Sequence, residues 1–402
     1  MLEGVKILSF THFLQGPLAA QLLADFGADV IKIEPLRGAY ERSFSAMDCY
    51  ACDESIMHLS LNRNQRSLTV DLRTPEGREI IERLLPDTDV IIQNFRPGVL
   101  DKYGFGYDQL KEKYPRIVYC NITGYGGDGP YADRPGQDLL AQAASGLCSC
   151  TGRSDQPPVA IGTAVVDTHG AVLAAFAIAS ALMEQRRTGK GHKIDTCLLN
   201  AAMHMQIEAY GAYLFKGNLY DKIPSGSVSR AYDVPYGVYE TADGYILISK
   251  TPVPKLREVF GDGLFGEFEE KDVFYRRADI DARVAEAVKK KTTDEWVKIF
   301  TEHNCWFSRI LEYDEVVKDP QVIHNGMIME MDHPVAGKVR VLGNPLKIDG
   351  ENIPLRTYPP ELGQHTEEIL RSAGFSDGEI RSMAEKKCVS LYSGKRAGEV
   401  TE

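Results

Sequence analysis

The amino-acid sequence predicts an α/β chain, its larger part built on a mostly parallel sheet and a smaller α+β part near the middle. Three observations lead there. Over roughly the first half, short apolar runs of strand length alternate with helical patterns, as a succession of βαβ units requires. At about residue 217 the character changes to a hairpin and polar helices, and the last third returns to strand and helix. A length of 402 residues fits two domains, because single cores rarely grow past about 250–300 residues. The expected boundaries are 1–216 and 326–402 for a large domain and 217–325 for a small one.

Val5–Phe10 (VKILSF) opens as a short apolar strand. PLAAQLLADFGA follows as a helix with Pro17 in its first turn, where a missing N–H costs nothing. Gly27 closes that helix, and Asp29–Glu34 (DVIKIE) is the next strand. The cycle recurs in Ser67–Leu72 (SLTVDL), with Thr74 as N-cap and Pro75 at the first position of PEGREIIERLL. Asp89–Phe95 (DVIIQNF), a helical YDQLKEKYP and the strand Arg116–Ile122 (RIVYCNI) continue the series. Crossovers of this kind are right-handed and cover the sheet on both faces, a Rossmann-like architecture. From 137 to 215 the pattern is helical: DLLAQAASG, VVDTHGAVLAAFAIASALMEQRR and IDTCLLNAAMHMQIEAYGAYLF. The middle helix is apolar nearly all round, so it belongs in a core or against a partner chain. Gly217–Arg230 reads as a linker or mobile loop. YGVYETADGYILIS is a hairpin turning at Asp243-Gly244, and Thr292 with Glu295 makes a capping box before WVKIFTEH. VAGKVRVLGNPLKI and TEEILRSAG bring back strand and helix, and Lys386–Glu402 reads as a frayed polar tail.

Composition narrows the function classes. Hydrophobic residues at 43% and charged residues at 26% exclude disordered and fibrous chains. A net charge of −11 opposes phosphate backbones and anionic lipid, so neither nucleic acid nor membrane is an expected partner. The longest nearly apolar run, Ala171–Met183, has 13 residues, against about 18 for a bilayer-crossing helix. MLEGVKILSF lacks the basic, apolar and small-residue regions of a signal peptide. Eight cysteines favour a reducing cytoplasm over a disulfide framework, and the expected location is cytoplasmic. Cys49-x-x-Cys52 and Cys148-x-Cys150 have no second C-x-x-C and no paired histidines, so they read as reduced thiols and no metal is expected.

In an open parallel sheet, ligands gather beyond the carboxyl ends of the strands. THFLQGP (Thr11–Pro17) lies at such an end but lacks G-x-G-x-x-G. A nicotinamide cofactor is therefore not expected, and Glu34 reads as a solvated strand end. Arg37, Arg66, Arg96 and Lys102 fall in loops flanking the strands. On an acidic protein such cations can hold a phosphorylated ligand; the plain alternative is solvated surface charge. Asn94-Phe95-Arg96-Pro97-Gly98 is the sharpest of these places, a strand stopped on a Pro-Gly turn. The glycines of Gly124–Gly129 (GYGGDG) serve equally for close approach to a ligand or for a turn. Asp138 and Asp167 are carboxylates set in the most apolar helical stretches. Such surroundings suit a nucleophile or an acid–base group, while the plain alternative is helix capping. His169, near the same helix start, reads as structural.

The run of motifs is recognisable as a whole. VKILSFTHFLQGPLAAQLLADFGADVIKIEP, NRNQRSLTVDL, DVIIQNFRPGVLDKYGF, IVYCNITGYGGDGP, GQDLLAQAASG, VVDTHGAVLAAFAIASALMEQRRTGKGHKID, VPYGVYETADGYILIS and ELGQHTEEIL stand in the order of class III CoA-transferases. The chain resembles that family, which includes carnitine, bile-acid and formyl-CoA:oxalate CoA-transferases, to about residue 390. The resemblance implies an interlocked homodimer, each chain pairing a Rossmann-like large domain with a small one. It also implies an acyl-CoA substrate, a carboxylic acid acceptor and no permanently bound cofactor. The family's catalytic aspartate precedes the long helix leading into R-x-T-G-x-G, which here is Asp167. His12, Phe13, Leu14 and Gln15 would face the thioester and pantetheine, with Gln15 in the glutamine role beside the thioester. Arg37 and Lys102 would meet the phosphates, Asn94, Phe95, Arg96 and Val99 the adenosine side, and Tyr125 completes the CoA-binding set.

The resemblance further implies that Asp167 attacks the thioester, passing through an acyl-aspartyl anhydride and an aspartyl-CoA thioester. Burial would strip the carboxylate of hydration, and backbone N–H groups at the helix start would stabilise the oxyanions. The glycine-rich lid of the formyl-CoA:oxalate members is not matched, since PSGSV (Pro224–Val228) has one glycine. Related α-methylacyl-CoA racemases carry a histidine where this sequence has Gln137. An amide cannot take or give a proton at neutral pH, so transfer is preferred to racemisation. A non-catalytic ligand-binding protein of the same fold is the alternative from another class, and the missing phosphate loop argues against a ligase.

Overall fold

Six strands carry out the βαβ pattern: β1 (Lys6–Phe10), β2 (Asp29–Glu34), β3 (Gln65–Thr69), β4 (Val90–Gln93), β5 (Val118–Thr123) and β6 (Lys193–Cys197). They form one sheet in the order β3-β2-β1-β4-β5-β6, every neighbouring pair parallel. The order reverses between β1 and β4, and a doubly wound sheet leaves a crevice at the carboxyl ends of those two strands. The structure, a computed structural model, describes residues 1–394. Its contacts divide the chain into two compact units, one with Met1–Asp138, Val165–Ala201 and the chain from Asp319 on, the other with Leu139–Ala164 and Ala202–Lys318.

Both faces of the sheet are covered, so its inner strands β2, β1, β4 and β5 carry apolar residues at successive positions rather than alternate ones only. Ile7, Val30, Val90, Ile92 and Val118 pack with α1 (Gln15–Asp25) and α3 (Val165–Thr188). Leu8, Phe10, Ile31, Ile33 and Ile91 pack on the other side with α2 (Pro75–Leu84) and the helices Thr366–Ser372 and Asp377–Glu385. Thr74 caps α2 by accepting the Gly77 N–H at 3.0 Å, and Pro75 begins it, as expected. Ala19, Ala20 and Ala24 on α1 and Ala171 and Ala174 on α3 are fully buried, and their small size lets the two helices run close together.

Several expectations need correcting. The helix Val165–Thr188 is not confined to the core of its own chain, the first of the two places expected for it: Val172, Phe176 and Met183 are 50%, 71% and 75% exposed. At 24 residues, with a mean hydropathy of 1.6 over its most apolar window, it also has the length and composition of a membrane-crossing helix, although its alanine face lies on the sheet. IDTC is not helical but lies in the edge strand β6, where polar residues face outward and Lys193 pairs with Asp195 at 3.1 Å. The helical YDQLKEKYP shrinks to the single turn Tyr107–Leu110. The C-terminal tail is not frayed at its start. Cys388 and Val389 are buried, the Asp71 N–H donates to the Cys388 carbonyl at 2.8 Å, and the Ser390 N–H donates to Thr69 Oγ1 at 3.1 Å. Residues 395–402 of that tail lie outside the described residues.

The second unit carries the antiparallel sheet β9-β8-β7, made of β7 (Tyr236–Glu240), β8 (Tyr245–Ser249) and β9 (Trp306–Arg309). The hairpin and the Thr292–Glu295 capping box stand where the sequence put them. Gly217–Arg230 is no linker: Ile223 and Ser227 are buried, and Lys222 donates to the Thr151 carbonyl at 2.6 Å. Gln206 and Tyr210 both donate to the Ser145 carbonyl, at 3.1 and 2.9 Å. Such bonds tie 139–164 and 202–216 to the middle of the chain, so the unit limits fall elsewhere than 216 and 325.

Candidate active site

The site grows from the crevice between β1 and β4. Beyond β1 the backbone of Thr11–Phe13 is held by side chains from three other segments. Asn94, just past β4, accepts the His12 N–H through Oδ1 at 2.9 Å and donates from Nδ2 to the His12 carbonyl at 2.8 Å. Glu41, in the helical turn Tyr40–Ser43, accepts the Phe13 N–H through Oε2 at 3.0 Å. Its Oε1 accepts from Lys32 Nζ at 2.6 Å, and Lys32 Nζ also reaches the Thr11 carbonyl at 3.3 Å. Phe13 sits in the left-handed region at φ +64°, uncommon for an aromatic residue. Leu14 then takes the N-cap position and Gln15 begins α1.

Gln15 is 4% exposed, and its Nε2 has no hydrogen-bond partner among the described residues. That nitrogen lies against Gly170 on α3, where an added Cβ would fall 2.0 Å from it. A buried amide donor left without an acceptor is costly, and such groups are provided for at functional sites. One turn back along α3 is Asp167. Burial, and then the nearby Asp138 carboxylate, push its carboxyl up to about 7. Asp138 itself is buried, and its Oδ2 accepts the N–H groups of Val166 at 2.7 Å and Asp167 at 2.9 Å. The two aspartates thus divide the alternatives: Asp138 caps the helix from outside, and Asp167 lies inside its first turn rather than at the cap. Of the helix-start N–H groups expected to serve an oxyanion, those of Val166 and Asp167 are already bound to Asp138. Gly124 contributes by packing: a Cβ there would fall 2.5 Å from the Cα of Gly136, two residues before Asp138. Its glycine is required by backbone against backbone rather than by a ligand.

The remaining expected residues spread along the same edge. His12 is half-buried beside Phe95 and Phe13, with ring centroids 5.6 and 4.8 Å away. Burial lowers its pKa, against the pull of the Glu41 carboxylate. Arg37, Arg96 and Lys102 are exposed and in no ion pair among the described residues, so they stand open to an anion. Val99 is half-buried. Tyr125 lines a cavity of about 490 Å³ at the ends of β5 and β6. Asp101, Asp108, Asp128 and Asp195 line it too against one cation, Lys193, so its net charge is wrong for phosphates. Arg66 is not a loop cation: it lies in β3 and pairs with Asp29 at 2.6 Å and Glu368 at 2.9 Å. Glu34 is no solvated strand end either. Its burial opposes the charge, but the Arg42 guanidinium outweighs that and holds its carboxyl far below the usual range. The Pro224–Val228 segment is packed: a Cβ on Gly226 would meet the Tyr239 ring at 2.1 Å, and the Ser227 N–H donates to Asp281 at 3.2 Å. Among the described residues no three His, Cys, Asp or Glu side chains gather as a metal site would.

A buried carboxyl poised near neutrality, with an unclaimed amide donor one turn away, is equipped for nucleophilic attack on a carbonyl. The model of CoA-transferase family III matches residues 2–366 of the chain. The chain belongs to that family. This family III CoA-transferase is 34% identical over 378 residues to the succinyl-CoA:glutarate CoA-transferase of Homo sapiens, covering 92% of this chain and 85% of that protein. It is 33% identical to a formyl-CoA:oxalate CoA-transferase of Rhodopseudomonas palustris, covering 94% and 95%. A crystal structure of a CAIB/BAIF family protein from Brucella suis superposes with a TM-score of 0.79 at 31% identity, covering 92% of this chain and 99% of that one. Against the Thr11–Phe13 loop of this transferase the structure also places residues that reading the sequence missed: Lys32, Glu41 and Tyr40, whose ring lies 4.3 Å from that of Phe13. Lys32 had a signal, a charged residue between Ile31 and Ile33 in a strand covered on both faces.

Proposed function

We propose that this enzyme moves CoA from an acyl-CoA donor to a carboxylic acid acceptor through covalent intermediates on Asp167. The observation that carries the reading is the Asp167 carboxyl, raised to about 7 by burial and by Asp138, in the first turn of α3. An Asp167 oxygen attacks the thioester carbonyl, the C–S bond breaks, and CoA leaves as thiolate. The thiolate attacks the aspartyl carbonyl of the resulting anhydride, the donor acid departs as carboxylate, and an aspartyl-CoA thioester remains. The acceptor carboxylate then displaces CoA from Asp167, and the thiolate attacks the acceptor's carbonyl, returning the free aspartate. No proton is gained or lost over the cycle. Each attack creates an oxyanion, and Gln15 Nε2 is a buried donor available to it, while the Val166 and Asp167 N–H groups are engaged by Asp138. Covalent capture splits one hard exchange into easier steps and keeps thioester energy from water.

Arg37, Arg96 and Lys102 supply positive charge for the phosphates of CoA, and no permanent cofactor enters the cycle. Two relatives are named for glutarate and oxalate, so dicarboxylates are the first acceptors to assay. A second copy of the chain is the proposed partner, in an interlocked homodimer. The exposed Val172, Phe176 and Met183 on α3 support it, being too apolar a stripe to leave in water. All eight cysteines are free, in keeping with the cytoplasm. The test is chemical trapping: incubation with acyl-CoA and then hydroxylamine converts Asp167 to a hydroxamate, located by peptide mass. Modification at Asp138 instead, or none, overturns the assignment.

A further inference from the structure

We propose that the buried pair Lys32–Glu41 is a positioning device for the reaction, holding the backbone of Thr11–Phe13 so that His12 and Gln15 meet the thioester in one fixed arrangement. The inference rests on the reading of Gln15 and Asp167 given above. Both side chains of the pair are 0% exposed, with Nζ and Oε1 2.6 Å apart. Taking two charges out of water is expensive, and a buried ion pair replaced by apolar side chains of similar volume is often no less stable. Stability alone is therefore a poor reason for keeping the charges, and what they touch points to another use. Lys32 Nζ holds the Thr11 carbonyl and Glu41 Oε2 holds the Phe13 N–H, while Asn94 takes both polar groups of His12 between them. Four consecutive backbone groups are thus satisfied by side chains rather than by secondary structure, and buried backbone left unsatisfied would rearrange. Phe13 is kept at φ +64° by this clamp, and the next residues turn directly into α1 with Gln15 at its first position. A strained residue persists where its surroundings over-determine it. A shift of about 1 Å in a group that faces the reacting carbonyl costs on the order of 100-fold in rate.

Three double variants of the full-length enzyme form a graded test. Lys32→Gln/Glu41→Gln keeps a donor for the Thr11 carbonyl and an acceptor for the Phe13 N–H. Lys32→Met/Glu41→Gln keeps the acceptor alone, and Lys32→Met/Glu41→Met keeps neither. The expected result is a stepwise fall in kcat along the series, from within about threefold of wild type to roughly 10–100-fold below it, with KM for acyl-CoA nearly constant and Tm not following kcat. A kcat that stays flat across the series, or falls only where Tm falls, overturns the proposal. Should the Met/Met variant fail to fold, the step between the first two decides in the same way. Asp167→Asn and Gln15→Ala are assayed alongside. If those two still transfer CoA at the wild-type rate, the site reading fails; if both fall well below it while Met/Met runs at full rate, the positioning inference alone fails.

Discussion

In the second unit, Phe265, Phe268, Trp296 and Phe300 are fully or almost fully buried, and the rings of Trp296 and Phe300 stack with centroids 5.1 Å apart. The one polar atom of the Trp296 side chain donates to the Val288 carbonyl at 2.7 Å, so this aromatic cluster leaves nothing of it unsatisfied. The strand ends of the first unit are built on opposite terms. There Lys32, Glu41, Asp138 and Gln15 are buried, and Gln15 keeps a donor without an acceptor. Aromatic burial of the first kind contributes stability directly, at about 25 cal/mol per Å². Polar burial of the second kind costs desolvation, offset only where every group is paired, and what it yields is placement. The difference separates two kinds of mutation: those that lower stability and spare the rate, and those that do the reverse.

The sharpest break of that contrast is Asp167→Asn. CoA-ester binding and circular dichroism should stay as in wild type while turnover falls by roughly 10⁴-fold or more, as for other covalent nucleophiles. Substantial remaining turnover in steady-state assays would remove Asp167 from the reaction. Next is Phe300→Ala in the aromatic cluster, expected to cost about 3–5 kcal/mol in urea unfolding while the rate per folded enzyme changes less than about threefold. A proportionate loss of rate would show that the two regions are not separable. Gln15→Ala should lower kcat by about 100-fold with little change in stability. Gly170→Ala, whose methyl group would fall 2.0 Å from Gln15 Nε2, should push that amide aside and cost about tenfold. Equal KM and kcat effects in either variant would point to binding rather than to oxyanion stabilisation.

The smallest effects on stability come from protons, which act on the rate as well. With Asp167 titrating at about 7, kcat/KM should rise about tenfold per pH unit up to that value and level off above it. Asp138→Asn keeps an acceptor for the helix N–H groups but removes the neighbouring charge, so the limb should move to lower pH; burial, the larger cause, remains. Linkage gives the sign for stability. A carboxyl whose folded pKa lies above its unfolded value binds its proton more tightly when folded, so stability is lost as pH climbs from about 4 to about 7. Asp167→Asn escapes that loss: its Tm should exceed wild type by roughly 2–5 °C at pH 8 and match it at pH 4. Calorimetry showing the gain at pH 4 and not at pH 8 would contradict the raised pKa.

The amino-acid sequence by itself determined the parts whose cause is local. Apolar runs of strand length between helical patterns, Thr74 and Pro75 at a helix start, and Asp243-Gly244 in a hairpin act within a few residues, and each stands as read. The strand ends carrying Gln15 and Asn94 were legible for the same reason, and Asp167 through a run of motifs spanning most of the chain. What tertiary structure alone decided depends on residues far apart in sequence. Glu34 and Arg66 read as solvated or loop charges until Arg42 and Asp29 were brought beside them. IDTC read as helix because β6 is an edge strand with polar faces, defined by its pairing with β5 rather than by its own residues. Asp138 is a cap for a helix that begins 27 residues later, and Lys32 and Glu41 become a pair only when β2 and the following turn fold over the loop after β1. A buried charge is legible in sequence as an anomaly, but its partner is set by the fold, because the desolvation cost is met by whichever group the fold brings within hydrogen-bonding distance.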